Sequence, residues 1–123
     1  MTIKARELRI GNWVNGNSPF QVSGGDIALA HIREKALKTI HWTPIPLTEE
    51  WLVKFGYTNT NEEYLTGTLW RKGDDVHLPI LIDKRGVVGI LIYGAFKYLE
   101  LGITVHRLQN LYFALTNEEL TIK

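Results

Sequence analysis

The chain of 123 residues contains no cysteine. That excludes disulfide scaffolding, a thiol nucleophile and Cys-ligated zinc. It carries no strong excess of either charge: 14 Lys and Arg stand against 13 Asp and Glu, a formal net charge of +1. A chain so nearly neutral presents no global field toward nucleic acid or membranes. Long apolar runs are also missing. The longest, residues 87–96, has ten residues and includes two glycines, whereas a spanning helix needs about 20. The opening MTIKARELRI has no apolar stretch of the kind found in signal peptides. The expectation is a cytoplasmic protein with no membrane partner.

Chemistry-bearing motifs are equally sparse. There is no G-x-x-x-x-G-K-[ST] loop and no G-x-G-x-x-G. Ser18 and Ser23 are the only serines, and no histidine is placed by sequence to activate either. Of His31, His41, His77 and His106, no two have a recognised metal spacing. Asp75 and His77 put two candidate ligands on one strand face, short of the three a site needs. The carboxylate pairs Glu49-Glu50, Glu62-Glu63, Asp74-Asp75 and Glu118-Glu119 fall at expected helix starts and loop tips. General acid–base work needs carboxylates facing each other across a cleft. The sequence therefore offers no catalytic, cofactor-binding or metal-ligating residue, and the expectation is binding rather than catalysis.

What is present suits one globular domain: 45% hydrophobic and 22% charged residues. The segment VHRLQNLYFALTNEEL, residues 105–120, has the cleanest helical period. Val105, Leu108, Leu111, Tyr112 and Leu115 gather on one face at i, i+3, i+4, i+7 spacing, the pattern of a core-facing stripe. Thr104 can cap its start, and Asn117 tolerates the left-handed conformation that ends helices. The opposite face holds His106, Gln109, Asn110 and Phe113. An aromatic ring among amides is a candidate anchor for a protein partner or a second copy of the chain, unless it meets another layer of its own domain.

Upstream, residues 8–14 read as a strand, and Asn15-Gly16 reads as a two-residue hairpin turn with both φ angles positive. Residues 20–22 return, with Pro19 marking an edge or a strand start. Asp26 reads as the cap of a helix over 26–37, with Leu29, Ile32, Ala36, Leu37 and Ile40 at helical spacing; a strand is the alternative there. Pro44 and Pro46 stop it. A short helix follows, capped by Thr48, with Glu49 and Glu50 in its first turn, Leu47 and Leu52 as a staple, Trp51, Leu52 and Phe55 turned to the core, and Gly56 as exit.

Residues 59–63 read as a polar loop. Strands are expected over 64–71, 76–82, 87–93 and 96–101, with short polar or glycine breaks between them, and so as an antiparallel meander. Val76, Leu78, Ile80 and Ile82 would share its core face, covered by the 105–115 helix. The fold class is α+β: an N-terminal β-hairpin lobe, SH3-like in its possible form, plus the meander packed against the C-terminal helix. The lobes fall at about 1–46 and 47–123 of a single domain. The last residues, 120–123, form either a short edge strand or a tail.

Three blocks carry a resemblance: LRIGNWV at 8–14, PIPLTEEWLVKFGY at 44–57 and VHRLQNLYFALTNEEL at 105–120. In order and spacing they resemble a family of small proteins encoded in prophages and mobile elements of gut anaerobic bacteria. That family has no assigned activity, so the resemblance implies an accessory protein of phage or mobile-element origin and carries over no functional residue. The favoured expectation is protein interaction or assembly. The alternative is nucleic-acid binding by Lys4, Arg6, Arg9 and Trp13, because small β-rich modules can combine a basic groove with stacking aromatics. Residues 1–46 hold six basic and three acidic residues, a mild positive bias.

Overall fold

The structure is a computed structural model and describes residues 3–38, 42–64, 67–73, 79–85, 87–91, 98–101 and 103–122. In chain order it has a 3₁₀ turn (Ala5–Glu7), strands β1 (Trp13–Asn15) and β2 (Pro19–Gln21), and helices α1 (Gly24–Lys35) and α2 (Glu49–Lys54). Strands β3 (Tyr57–Tyr64), β4 (Gly67–Lys72), β5 (Ile80–Asp83), β6 (Val88–Leu91) and β7 (Tyr98–Leu101) follow, and helix α3 (Val105–Thr116) comes last. All strand pairings are antiparallel, and the class is α+β. Among the described residues no helix is long and apolar enough to cross a membrane. The chain divides into two compact units: Met1–Ile45 with Thr104–Asn110, and Pro46–Ile103 with Leu111–Lys123. One change of unit falls between Ile45 and Pro46. The departure is that residues 104–110 lie with the N-terminal unit.

In the first unit, residues 8–12 are not strand. Asn12 N–H donates to the Arg9 carbonyl at 3.0 Å, and Gly11 has φ +93°. This is a turn that needs positive φ at its third residue, which glycine supplies without steric cost. Only Trp13–Asn15 enters the ladder, pairing with Pro19–Gln21. The loop is three residues, 16–18, rather than an Asn15-Gly16 turn. Asn15 cannot serve as a turn centre because its N–H and C=O both bond Thr43 at 2.9 Å, which holds it extended. Among the described residues this sheet has two strands and one bridge, so the SH3-like form is not reached.

Helix α1 starts two residues before Asp26. Ser23 is the cap: its Oγ accepts Asp26 N–H at 3.2 Å, and the Asp26 carboxylate accepts Ser23 N–H at 2.9 Å, a capping box that overrides the two glycines. The helix ends with Leu37 in the left-handed region and Lys38 N–H on the Arg33 carbonyl at 2.8 Å, a Schellman closure. Ile3, Leu8, Val14 and Val22 form the core of this unit, with Phe20, Ile27 and Trp42 against it. Ala5 and Ala30, both fully buried, let the 3₁₀ turn and α1 approach closely.

The second unit opens as the sequence implies. Thr48 Oγ accepts Trp51 N–H at 3.4 Å, Trp51, Leu52 and Phe55 are buried, and Gly56 leaves with φ +90°. The expected polar loop at 59–63 is instead the middle of β3, the edge strand of a five-stranded meander ordered β3-β4-β5-β6-β7. An edge strand needs only one hydrogen-bonded neighbour and tolerates polar side chains. A register break after Asn59, with Asn61 at φ +61°, absorbs the irregular stretch.

Ile80, Leu81 and Ile82 are all buried, so β5 is covered on both faces rather than one. Val76 and Leu78, and the break at 94–95, lie outside the described residues. The turn after β5 is held by Asp83, whose Oδ1 accepts Arg85 N–H and Val87 N–H at 2.9 Å each. Gly67 is sterically required. A Cβ there would collide with the Ile82 carbonyl and lie 2.8 Å from Asp83 Cα.

Helix α3 buries Val105, Leu108 and Tyr112 as expected, but Leu111 is half-buried and Leu115 is 54% exposed. The inward stripe is instead Val105, Leu108, Gln109, Tyr112, again i, i+3, i+4, i+7, with a polar member in it. Asn117 ends the helix at φ +61° as expected, and residues 120–122 form no strand.

Candidate functional site

The polar face of α3 is the first place to look, and it turns inward. Gln109 is only 2% exposed. Its Oε1 accepts Trp13 N–H at 2.8 Å and its Nε2 donates to the Gly11 carbonyl at 3.1 Å. Asn110 Nδ2 donates to the Glu7 carbonyl at 2.8 Å, and its Oδ1 accepts Asn12 Nδ2 at 2.9 Å and, at 3.5 Å, Arg9 Nη1. Asn12 is buried, and its Oδ1 accepts Arg9 N–H at 2.7 Å. A side-chain amide presents a donor and an acceptor as a peptide does, so this pair substitutes for a neighbouring strand along residues 7–13. Buried amides stripped of such partners would be costly.

His106 closes the same seam. It is buried, with Nε2 3.7 Å from Glu7 Oε2 and Nδ1 3.4 Å from Thr104 Oγ. Burial pushes its pKa below the ordinary histidine value; the Glu7 carboxylate opposes that shift, and Arg107 adds to it. At neutral pH the Glu7 contact is therefore a polar contact of neutral imidazole rather than an ion pair, because desolvation dominates. The expected partner surface is corrected accordingly. His106 and Gln109 are interior, Asn110 is bonded to backbone, and Phe113 is half-buried in the second unit.

The basic residues expected to contact nucleic acid separate into two groups. Arg9 and Trp13 belong to the amide seam. Lys4 and Arg6, on the 3₁₀ turn, line an open depression of about 540 Å³ together with His31, Glu34 and Lys35 of α1. Glu34 is already committed: its two carboxylate oxygens accept Ala5 N–H at 3.1 and 3.0 Å. Lys4, Arg6, His31 and Lys35 are all exposed, and among the described residues none of them forms an ion pair. The first unit holds seven Lys and Arg against three Asp and Glu, since Arg107 joins it; the second holds seven against ten. The charge bias is thus +4 against −3, sharper than the sequence order displays.

Sequence reasoning missed His31 and Lys35 as partners of Lys4 and Arg6. Their i, i+4 spacing on a capped helix was the available signal. Among the described residues no three His, Asp or Glu side chains are grouped to hold a metal ion. His41, Asp75 and His77 lie outside the described residues. No family model, no curated protein and no solved structure matches the chain.

Proposed function

We propose that the chain is a non-catalytic binding module whose first unit takes the phosphate backbone of a nucleic acid. The observation that supports this most is the depression lined by Lys4, Arg6, His31 and Lys35, whose one carboxylate is spent on Ala5 N–H. Three Lys and Arg side chains around one carboxylate leave the depression net positive, and a polyanion docking there gains from that field while releasing its own counterions. Phosphate contacts of this kind read no bases, so the binding proposed is weakly sequence-dependent. The setting we propose, an accessory protein of a phage or mobile element, rests on the three sequence blocks alone.

The test is fluorescence anisotropy with labelled single- and double-stranded DNA across a salt series. The triple change Lys4→Ala, Arg6→Ala, Lys35→Ala should lower affinity and flatten the slope of log K against log salt by about 2–3, near 0.7–0.9 per lost phosphate contact. All three side chains are exposed, so the fold should survive. Absence of binding at tens of micromolar protein in low salt, or a slope the triple variant leaves unchanged, refutes the reading.

A further inference from the structure

Helix α1 is oriented against the usual rule. An amphipathic helix turns its apolar stripe to the core, yet the residues of α1 that pack inward are Ile27, Ala30 and Glu34. Gly25, Ala28, Leu29, Ile32 and the C-cap residue Ala36, spaced i, i+3, i+4, i+7 and i+11, are all exposed. Ile32 is 64% and Leu29 44% accessible. The helix is firmly made, with a capping box at one end and a Schellman closure at the other. Two of the three larger apolar side chains of this well-formed helix, Leu29 and Ile32, thus stand side by side in solvent, where a partner could cover them.

The pattern of this face says which partner. About its midpoint, between Ala30 and His31, an antiparallel copy sets Gly25 against Ala36, two small residues, and Leu29 against Ile32, two large ones. Each position thereby meets the one that meets it in return, which is what a two-fold interface requires. The flanking charges agree. At about 100° per residue, Asp26 and Arg33 lie on the same flank, two turns or about 10 Å apart. In an antiparallel two-fold pair each flank meets its own counterpart reversed, so Asp26 of one copy faces the flank bearing Arg33 of the other, twice, with an axial offset of two residues or about 3 Å that the long Arg side chain spans. Arg33 forms no ion pair among the described residues. Only one oxygen of the Asp26 carboxylate, Oδ2, is used by Ser23.

We infer that a second copy of this chain docks on the outer face of α1, forming an antiparallel homodimer about a two-fold axis, centred on Leu29 and Ile32 and flanked by reciprocal Asp26–Arg33 pairs. The opposite flank, with His31 and Lys35, then places both basic depressions on one side of the pair. A single helix pair covers less than the ~1,200 Å² of a standard interface, so association is weak and is sought at high protein concentration.

Sedimentation equilibrium in the absence of nucleic acid tests this independently of the phosphate reading. The mass should rise with concentration from 14.1 kDa toward twice that value. Ile32→Glu, exposed and so safe for the fold, should hold the chain monomeric. Asp26→Lys alone and Arg33→Asp alone set like charges against each other in their own homodimers, and each should weaken association about tenfold or more. An equimolar mixture of these two variants pairs opposite charges at both positions and should restore it. A wild-type chain that stays monomeric at several hundred micromolar overturns the inference. So does Ile32→Glu dimerising like the wild type, or a mixture no stronger than its components. Because Asp26→Lys also removes the capping-box carboxylate, circular dichroism reads the helix content of each variant, and Ile32→Glu and Arg33→Asp, which leave the capping box intact, carry the test if Asp26→Lys loses helix.

Discussion

Gln109 is the residue whose removal discriminates best between an inward and an outward polar face of α3. Its amide is almost fully buried, accepting Trp13 N–H at 2.8 Å and donating to the Gly11 carbonyl at 3.1 Å. In Gln109→Ala the Trp13 N–H loses that acceptor inside the protein, at a cost of about 1–3 kcal/mol. The Gly11 carbonyl loses less, because Gln21 Nε2 also donates to it at 3.1 Å. The lost methylenes and amide leave a void that adds of order 1 kcal/mol. The sum is about 2–4 kcal/mol, read as a lower urea midpoint at unchanged m.

Gln109→Glu sharpens the test. At neutral pH its carboxylate accepts Trp13 N–H but faces the Gly11 carbonyl with no proton to give, and its charge is buried. It should cost at least as much as the alanine. Lowering the pH protonates it, restores a donor toward Gly11, and should narrow its deficit relative to wild type. A change within about 0.5 kcal/mol for Gln109→Ala, the range of ordinary surface substitutions, would show that the amide faces solvent and that the seam is wrong.

Two further outcomes are expected. Gly67→Ala should cost about 2–3 kcal/mol in the same titration, because the new Cβ meets the backbone of β5, which cannot rotate away as a side chain can; a neutral result would contradict the close approach of β4 and β5. His106 should make stability fall as pH drops. Its folded pKa lies below the ordinary value of about 6.5, so the unfolded chain takes up the proton first. The contribution is complete above about pH 6.5 and is lost as pH falls through that value toward the folded pKa. Urea midpoints at about pH 7.5 and 5.5 should therefore differ less in His106→Gln than in wild type, and an equal difference would place the ring in solvent.

Local chemistry made several features readable in the chain itself. Thr48 with Glu49 and Glu50, Gly56 behind Phe55, and Asn117 behind α3 each satisfy or terminate their own backbone within a few residues. The antiparallel meander, and with it the α+β class, follows from runs of apolar residues broken by short polar turns. The sequence also carried a sign that the polar face of α3 is not solvated: Arg107 is the one charged residue among its twelve, whereas solvent faces usually carry Lys and Glu.

Other features depend on residues far apart in the chain. LRIGN alternates like a strand, and only the turn closed by Asn12 and Gly11, held by amides about a hundred positions away, gives it another conformation. TNTNEEY reads as a loop until β4 offers it a ladder to join. The stripe Leu111–Leu115 is as apolar as Leu108–Tyr112, so periodicity alone cannot set which side of α3 turns inward. Lys4 and Arg6 meet His31 and Lys35 because Ala5 packs on Ala30 and Glu34 binds Ala5 N–H. Periodicity fixes which residues share a face; burial, which is a property of the whole packed chain, decides which face goes inside.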